Sequence, residues 1–173
     1  CVRIRNNANL IGDEDDLISS SMDFTGTNEI IISYKWAFVT KEEATDDRLR
    51  VYISNDCGNT WQQKKIHRGF TDLPTAESSN FQFVPDSQEE WNEYTLMIDN
   101  EEFFGPSFRV RFNFTNYGGN NLYLDDINIR SANDLSTSDL SAFSSSTIFP
   151  NPSNGSATLA LSLIQPIESG RIS

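Results

Sequence analysis

Two adjacent carboxylates, Asp125 and Asp126, interrupt an apolar segment and are the residues best suited to metal chemistry. Leu122 and Leu124 share one parity before them, whereas the two isoleucines that follow have the opposite parity. A β-bulge at the aspartates would let both apolar pairs face one core. Carboxylates inside an apolar strand are costly unless a cation neutralises them, and Ca²⁺ takes several hard oxygen ligands. The sequence therefore predicts a calcium site here.

A second motif, Ser-x-Asp-x-Gly-x-Thr-Trp, is formed by Ser54, Asp56, Gly58, Thr60 and Trp61. Asp56 can accept hydrogen bonds from backbone N–H groups of a turn, and Gly58 permits a positive φ. Trp61 is then expected to fold onto the hairpin. The motif resembles the Asp-box of sialidase-like and other β proteins, where it is structural. A ligand role for Asp56 or Trp61 is the minority alternative.

Other reactive residues are few. Cys1 and Cys57 are the only cysteines, and in an exported protein such a pair can close one disulfide. Sequence alone does not place their Cα atoms within bonding range, so a disulfide and two free thiols both stay open. His67 is the only histidine and the only obvious general base. We place it in a polar loop as a surface residue, and we expect no catalysis in this chain.

The elements that must position these residues are strands. Apolar and polar side chains alternate with period two in four segments: 30–38, 49–54, 93–98 and 108–114. Four further segments are compatible with strands: 2–5, 17–24, 61–66 and 122–129. About eight half-buried strands separated by polar loops indicate an all-β sandwich of two antiparallel sheets at residues 1–130.

Composition divides the rest of the chain. Residues 131–147 are rich in Ser, Thr, Asp and Asn, which predicts a solvated linker, and residues 148–173 are expected to begin a second β module that is truncated.

Two long polar loops, 40–47 and 67–90, are either functional or surface connections, and for 67–90 we favour a crossover between the sheets.

Net charge excludes some partners. The chain carries 25 acidic and 13 basic residues, a net charge of −12, which argues against binding nucleic acid or anionic membrane surfaces. No apolar run reaches the length of about 18 residues that a membrane span requires. Dense acid on an exported domain suits calcium, although for most of these carboxylates solubility is the simpler reason.

The stretch Ile148-Phe149-Pro150-Asn151-Pro152-Ser153-Asn154-Gly155-Ser156 resembles the opening of the C-terminal sorting domain of the Bacteroidetes type IX secretion system. The resemblance implies export to the outside of the cell or to its surface. Such sorting domains continue for several more strands, so we expect this chain to be a fragment of a larger secreted protein.

Residues 1–130 resemble jelly-roll domains of the MAM-like, cleaved-adhesin and carbohydrate-binding-module type, through the acidic segment before residue 17 and the final segment 116–129. Such domains often hold a structural calcium where the last strand meets the N-terminal segment. The resemblance implies Asn7, Asp15 and Asp16 as partners of Asp125 and Asp126. The alternative is that Asp125 caps backbone N–H groups and the acidic loop is merely solvated.

The whole arrangement is similar to the region after the catalytic domain of secreted Bacteroidetes metallopeptidases of the pappalysin type. The zinc motif His-Glu-x-x-His is absent. This resemblance implies a non-catalytic, calcium-stabilised accessory domain whose partners are the upstream domain and the secretion machinery. The alternative is an adhesin-like module that binds a carbohydrate or a protein. Trp91, Tyr52, Tyr117 and Phe70 are the aromatic candidates, and a row of outward aromatics on one sheet would favour glycan binding.

Overall fold

The computed structural model describes residues 1–6, 10–41 and 45–132, together with the strands Phe143–Phe149 and Thr158–Leu163. The chain divides into two compact units, Cys1–Asp134 and Leu135–Ser173.

The first unit is an eight-stranded sandwich with two short 3₁₀ helices. Its strands are β1 (Val2–Ile4), β2 (Glu14–Ile18), β3 (Ile30–Ala37), β4 (Arg48–Ser54), β5 (Gln62–Arg68), β6 (Asn92–Ile98), β7 (Arg109–Thr115) and β8 (Leu122–Ser131), and its 3₁₀ helices are Gln88–Glu90 and Glu101–Phe103. Sheet 1 has the strand order β1-β8-β3-β6 and sheet 2 the order β2-β7-β4-β5, with antiparallel neighbours throughout. This order is that of a jelly roll, so the predicted fold is confirmed.

The core lies between the two sheets because the period-two pattern sends one side of each strand inward. In sheet 2, alternate residues of β4 and β7 are fully buried, and in sheet 1 alternate residues of β3 face them. The inward side chains of these strands are Leu49, Val51, Ile53, Val110, Phe112, Phe114, Ile30, Ile32, Tyr34 and Trp36. The polar parity of β4 and β7 is thereby left on the outside of sheet 2.

The predicted bulge at Asp125 and Asp126 is confirmed. The pairing of β3 with β8 shifts between Ser33, opposite Asn128, and Lys35, opposite Asp125. Asp126 adopts a φ of 47°, in the left-handed region. Apolar residues on both sides of the bulge therefore pack into the same core.

The predicted crossover between β5 and β6 is also confirmed. This crossover loop, residues 69–91, leaves sheet 2 and covers part of the outer face of sheet 1, where its Phe83 is buried against Tyr123. The Asn120 side chain accepts a hydrogen bond from the Phe83 N–H at 2.9 Å and donates to the Ser79 and Phe81 carbonyls at 3.1 and 2.7 Å. The loop is thus fastened to sheet 1.

The second unit contains an antiparallel pair, β9 (Phe143–Phe149) and β10 (Thr158–Leu163), with Phe149 opposite Thr158. Strand β9 begins inside the range 131–147, so the prediction of a linker up to residue 147 is wrong for residues 143–147. Residues 144–147 of this strand are a run of serine and threonine, and composition alone did not reveal their pairing. The 150–156 part of the sorting motif lies outside the described residues.

None of the described helices combines the length and the apolar character needed to cross a membrane.

Candidate functional site

The outward side chains of sheet 2 form a surface that we call the polar face. The strand register aligns them in three cross-strand rows, which are Ile66, Arg50, Asn113 and Asp16; Gln63, Tyr52, Arg111 and Ile18; and Arg68, Arg48, Thr115 and Glu14. Two arginines on each of the central strands, β4 and β7, belong to this face in a chain of net charge −12. The two central strands of the polar face therefore carry four of the 13 basic residues of the chain.

A continuous hydrogen-bond network orients the polar groups of this face. One amino group of Arg50 donates to Asn113 Oδ1 at 3.1 Å and to Thr115 Oγ1 at 2.6 Å. The Asn113 amide donates to Asp16 at 2.9 Å and to Glu14 at 3.3 Å, and the Thr115 hydroxyl donates to Glu14 at 3.2 Å. Because each group is held by its neighbours, the surface is organised before any ligand arrives.

Aromatic rings contact arginines toward both ends of the central strands. The guanidinium carbon of Arg111 lies 4.4 Å from the centroid of the Tyr52 ring and 4.9 Å from that of Trp61. At the other end, the guanidinium of Arg48 lies 4.9 Å from the centroid of the Tyr117 ring. Both of these guanidinium groups therefore make cation–π contacts.

The Asp-box residues build the β4–β5 hairpin that carries Trp61. Asp56 accepts from the Thr60 N–H at 2.9 Å and the Thr60 hydroxyl at 2.6 Å, and the Ser54 hydroxyl donates to it at 2.7 Å. These bonds, led by that from Ser54, lower the pKa of Asp56 to about 2. Gly58 has a φ of +91°, and a Cβ there would approach the Trp61 ring to 3.0 Å. The turn thus positions Trp61 beside the polar face.

The carboxylates of Asp125 and Asp126 are not buried, although burial was the reason for expecting a calcium ion there. Their side chains are 42% and 59% exposed, so they are not desolvated within an apolar strand. Asp126 Oδ2 lies 2.7 Å from Lys35 Nζ, so an ammonium group already accompanies this carboxylate.

The other predicted calcium ligands are not brought to this bulge. Asp15 and Asp16 lie on β2 in sheet 2, whereas Asp125 and Asp126 lie on β8 in sheet 1. Asn7 lies outside the described residues. Within the described part of the chain, no three His, Cys, Asp or Glu side chains are grouped so as to hold a metal ion. Calcium stays a prediction, without an assembled site among these residues.

Of the two alternatives left open for Cys1 and Cys57, the structure contains two free thiols. Cys1 precedes β1 in sheet 1, whereas Cys57 lies in the hairpin of sheet 2 with a φ of 60°. Hydrogen bonds from Ser107 and Ser21 lower the pKa of the Cys57 thiol.

The prediction of a surface loop position for His67 is wrong. The residue lies near the end of β5 and is 1% exposed. Its Nδ1 lies 2.9 Å from Asp72 Oδ2 and its Nε2 lies 2.8 Å from the Tyr34 hydroxyl. Since a carboxylate only accepts, Nδ1 carries the proton and Nε2 accepts from Tyr34. Burial lowers the pKa of His67, so the ring is neutral and both nitrogens are committed within the core.

Sequence reasoning missed a second buried group, Asp47, which ends the polar loop 40–47 and is fully buried. Its Oδ1 accepts from the Asn6 amide at 2.9 Å and from the backbone N–H groups of Tyr117 and Gly119 at 2.9 and 3.2 Å. The Thr45 hydroxyl donates to its Oδ2. Asp47 therefore joins the N-terminal segment to the segment before β8, the task that we assigned to calcium.

No family model matches the chain, and no curated protein sequence matches it. Among solved structures, CBM27-1 of Caldicellulosiruptor saccharolyticus in complex with mannohexaose is similar at a TM-score of 0.44 and 16% identity. The alignment covers 72% of this chain and 71% of that one.

Proposed function

We propose that this chain is a non-catalytic binding module that takes an oligosaccharide chain on the polar face. The observation that carries the proposal is the set of fixed guanidinium and carboxylate groups on sheet 2, flanked by Tyr52 and Trp61. Sugars present hydroxyl groups that need oriented donors and acceptors, and C–H faces that pack on aromatic rings. The polar face supplies both.

The opposite side of the sandwich supports this choice of surface. The crossover loop covers part of the outer face of sheet 1 and buries Phe83 and Tyr123 there. Trp91 packs into the same cluster, so this aromatic candidate is directed to packing. Tyr52 and Tyr117 instead accompany arginines of sheet 2.

A binding role fits the single histidine better than a catalytic role. His67 is buried and hydrogen-bonded at both ring nitrogens, so its imidazole is held away from any ligand on the surface. A general base must reach the proton that it removes, directly or through one water.

The test is a glycan array followed by affinity electrophoresis in gels containing the polysaccharides that score. We expect Trp61→Ala and Tyr52→Ala to weaken binding about tenfold or more, as loss of a central aromatic contact does. The matched control is Phe81→Ala, an aromatic that is 85% exposed in the crossover loop. No binding by the folded wild type, or equal loss in all three variants, would overturn the proposal.

Export and an accessory role are further parts of this proposal and rest on the resemblances of the sequence. A module that binds a polymer would hold an upstream catalytic domain, such as a pappalysin-type metallopeptidase, close to its substrate. The sorting part is tested by fusing residues 131–173 to a periplasmic reporter in a Bacteroidetes host with and without the type IX machinery. Equal surface delivery in both strains would contradict it.

A further inference from the structure

Arg111 differs from the other arginines of the polar face in the hydrogen bonding of its guanidinium group. Arg50 donates to Asn113 and Thr115, and Arg109 donates to the carbonyls of Ser19 and Cys57. Arg48 likewise donates to a carboxylate, that of Asp46. The guanidinium of Arg111 makes no hydrogen bond to any residue in the described part of the chain.

The guanidinium of Arg111 is nevertheless fixed. Tyr52 lies directly across from it in the β4–β7 register, and both the Tyr52 and the Trp61 ring lie within 5 Å of its central carbon, at 4.4 and 4.9 Å. Its Nε is covered and has no acceptor among the described residues, so this part of the cation has lost water without replacement. Its side chain is still 23% exposed, which leaves the terminal amino groups accessible.

The charge of Arg111 is only weakly compensated within the protein. Its paired carboxylate, Asp16, stands 3.9 Å from the nearer amino nitrogen, which is beyond hydrogen-bond distance. Asp16 is instead held by the Asn113 amide at 2.9 Å. A planar cation with an orientation set by two rings and with free parallel donors is suited to bind a carboxylate or a sulfate through two bonds.

We infer that Arg111 is an anion subsite and that the oligosaccharide bound by the polar face is acidic, bearing a carboxylate or a sulfate ester. The inference rests on the proposed function. The acidic group sits against the amino groups of Arg111, while Tyr52 and Trp61 hold the guanidinium plane. Asp16 and Glu14, on the neighbouring edge strand, repel the ligand's charge and reduce its affinity.

The experiment is titration calorimetry with three probes: polygalacturonate fragments, a heparin oligosaccharide and neutral mannohexaose. We expect one acidic probe to bind the wild type and the Arg111→Gln variant to bind it about 10- to 100-fold more weakly, the loss expected for charged hydrogen bonds. Arg111→Lys keeps the charge without the planar fork and should recover only part of the affinity. Binding of the polygalacturonate probe identifies a carboxylate as sufficient, whereas binding of heparin without polygalacturonate identifies the sulfate, because heparin carries both groups.

Asp16→Asn is the matched variant of opposite sign, because it removes the repelling charge and keeps an oxygen that can accept from Asn113. It should strengthen binding of the acidic probe and make that binding more dependent on salt, whereas Arg111→Gln should make it less dependent on salt. Thermal melting shows whether each variant is folded.

Binding of mannohexaose alone, with Trp61→Ala weakening it and Arg111→Gln leaving it unchanged, would overturn this inference and leave the proposed function standing. Binding of an acidic probe that Arg111→Gln does not weaken would also overturn it. Absence of binding to every probe and to the glycan array would overturn both.

Discussion

The hydroxyl of Tyr34 in sheet 1 donates a hydrogen bond across the core to Nε2 of His67 in sheet 2, at 2.8 Å. Beyond the imidazole, Asp72 accepts from Nδ1 and also pairs with Lys65 at 2.9 Å. A polar chain therefore runs from the buried centre of the sandwich to its surface, and it replaces apolar packing at one point between the sheets.

Tyr34→Phe should destabilise the fold by about 1–3 kcal/mol, because it leaves the buried Nε2 of His67 without a donor. Chemical denaturation monitored by tryptophan fluorescence measures the change. Tyr52→Phe is the matched control, since Tyr52 is half-buried on the polar face and should cost much less. Equal losses in the two variants would contradict a stabilising role for the inter-sheet hydrogen bond.

Stability should fall as the pH drops below about 6.5, the ordinary pKa of histidine. Burial lowers the pKa of His67 in the folded state, so the unfolded chain takes up a proton that the folded chain refuses. The free energy of unfolding therefore keeps its full value above about pH 6.5. Below that pH it falls, with a slope of at most about 1.4 kcal/mol per pH unit from His67. Urea titrations at about pH 7.5 and about pH 5 measure this difference.

His67→Gln removes the only imidazole of the chain. The variant should be less stable at neutral pH, yet it should lose less stability than the wild type between those two pH values. Parallel pH profiles would show that another group causes the acid sensitivity.

Asp47→Ala should destabilise the protein by about 2–5 kcal/mol, because the Asn6 amide and two backbone N–H groups would lose their buried acceptor. Asp99→Ala, at an exposed carboxylate, is the control and should change stability by less than about 0.5 kcal/mol. Similar melting temperatures for the two variants would contradict the role assigned to Asp47.

Gly119→Ala should be disruptive for the same region. A Cβ at Gly119 would overlap the Asp47 carboxylate and come within 2.7 Å of the Phe38 ring. Gly105→Ala is the matched control because a Cβ there meets nothing within 4 Å. Circular-dichroism melts should therefore separate the two variants by several degrees, and equal tolerance would contradict the close approach.

The calcium hypothesis now rests on the family resemblance. It predicts that the melting temperature rises with free calcium and falls on adding EDTA, since an ion bound only by the folded state stabilises it. Asp126→Asn should reduce that response if the bulge contributes a ligand. A melting curve that does not move with calcium or EDTA would overturn the hypothesis.

The alternation of apolar and polar residues predicted most of the fold, because it follows directly from which side of each strand is buried. Segments 30–38, 49–54, 93–98 and 108–114 all became strands, and the change of parity around Asp125 located the bulge. The strand order could not be read from the same pattern, since alternation indicates which side of a strand is wet and not which strand lies beside it.

Buried polar groups were the part that sequence reasoning missed. His67 stands among basic residues that suggest a surface, and its burial depends on Tyr34 and Asp72, partners supplied by other segments. Asp47 ends a charged loop and is satisfied by donors around positions 6 and 117–119. The alternation of Arg50 with apolar neighbours indicated that one side of its strand faces solvent. It did not show that Arg109 and Arg111 lie on the same face of the sheet.

Strand β1 pairs with β8 through only three residues, yet Asn6 just beyond it is hydrogen-bonded to Asn121, Asp47 and Asn116. Under tension applied at the N-terminus, the short strand would peel away first, and the load would then arrive at this asparagine. The hydrogen bonds of Asn6, rather than the pairing of β1, therefore determine how firmly the N-terminal segment is attached to the sandwich.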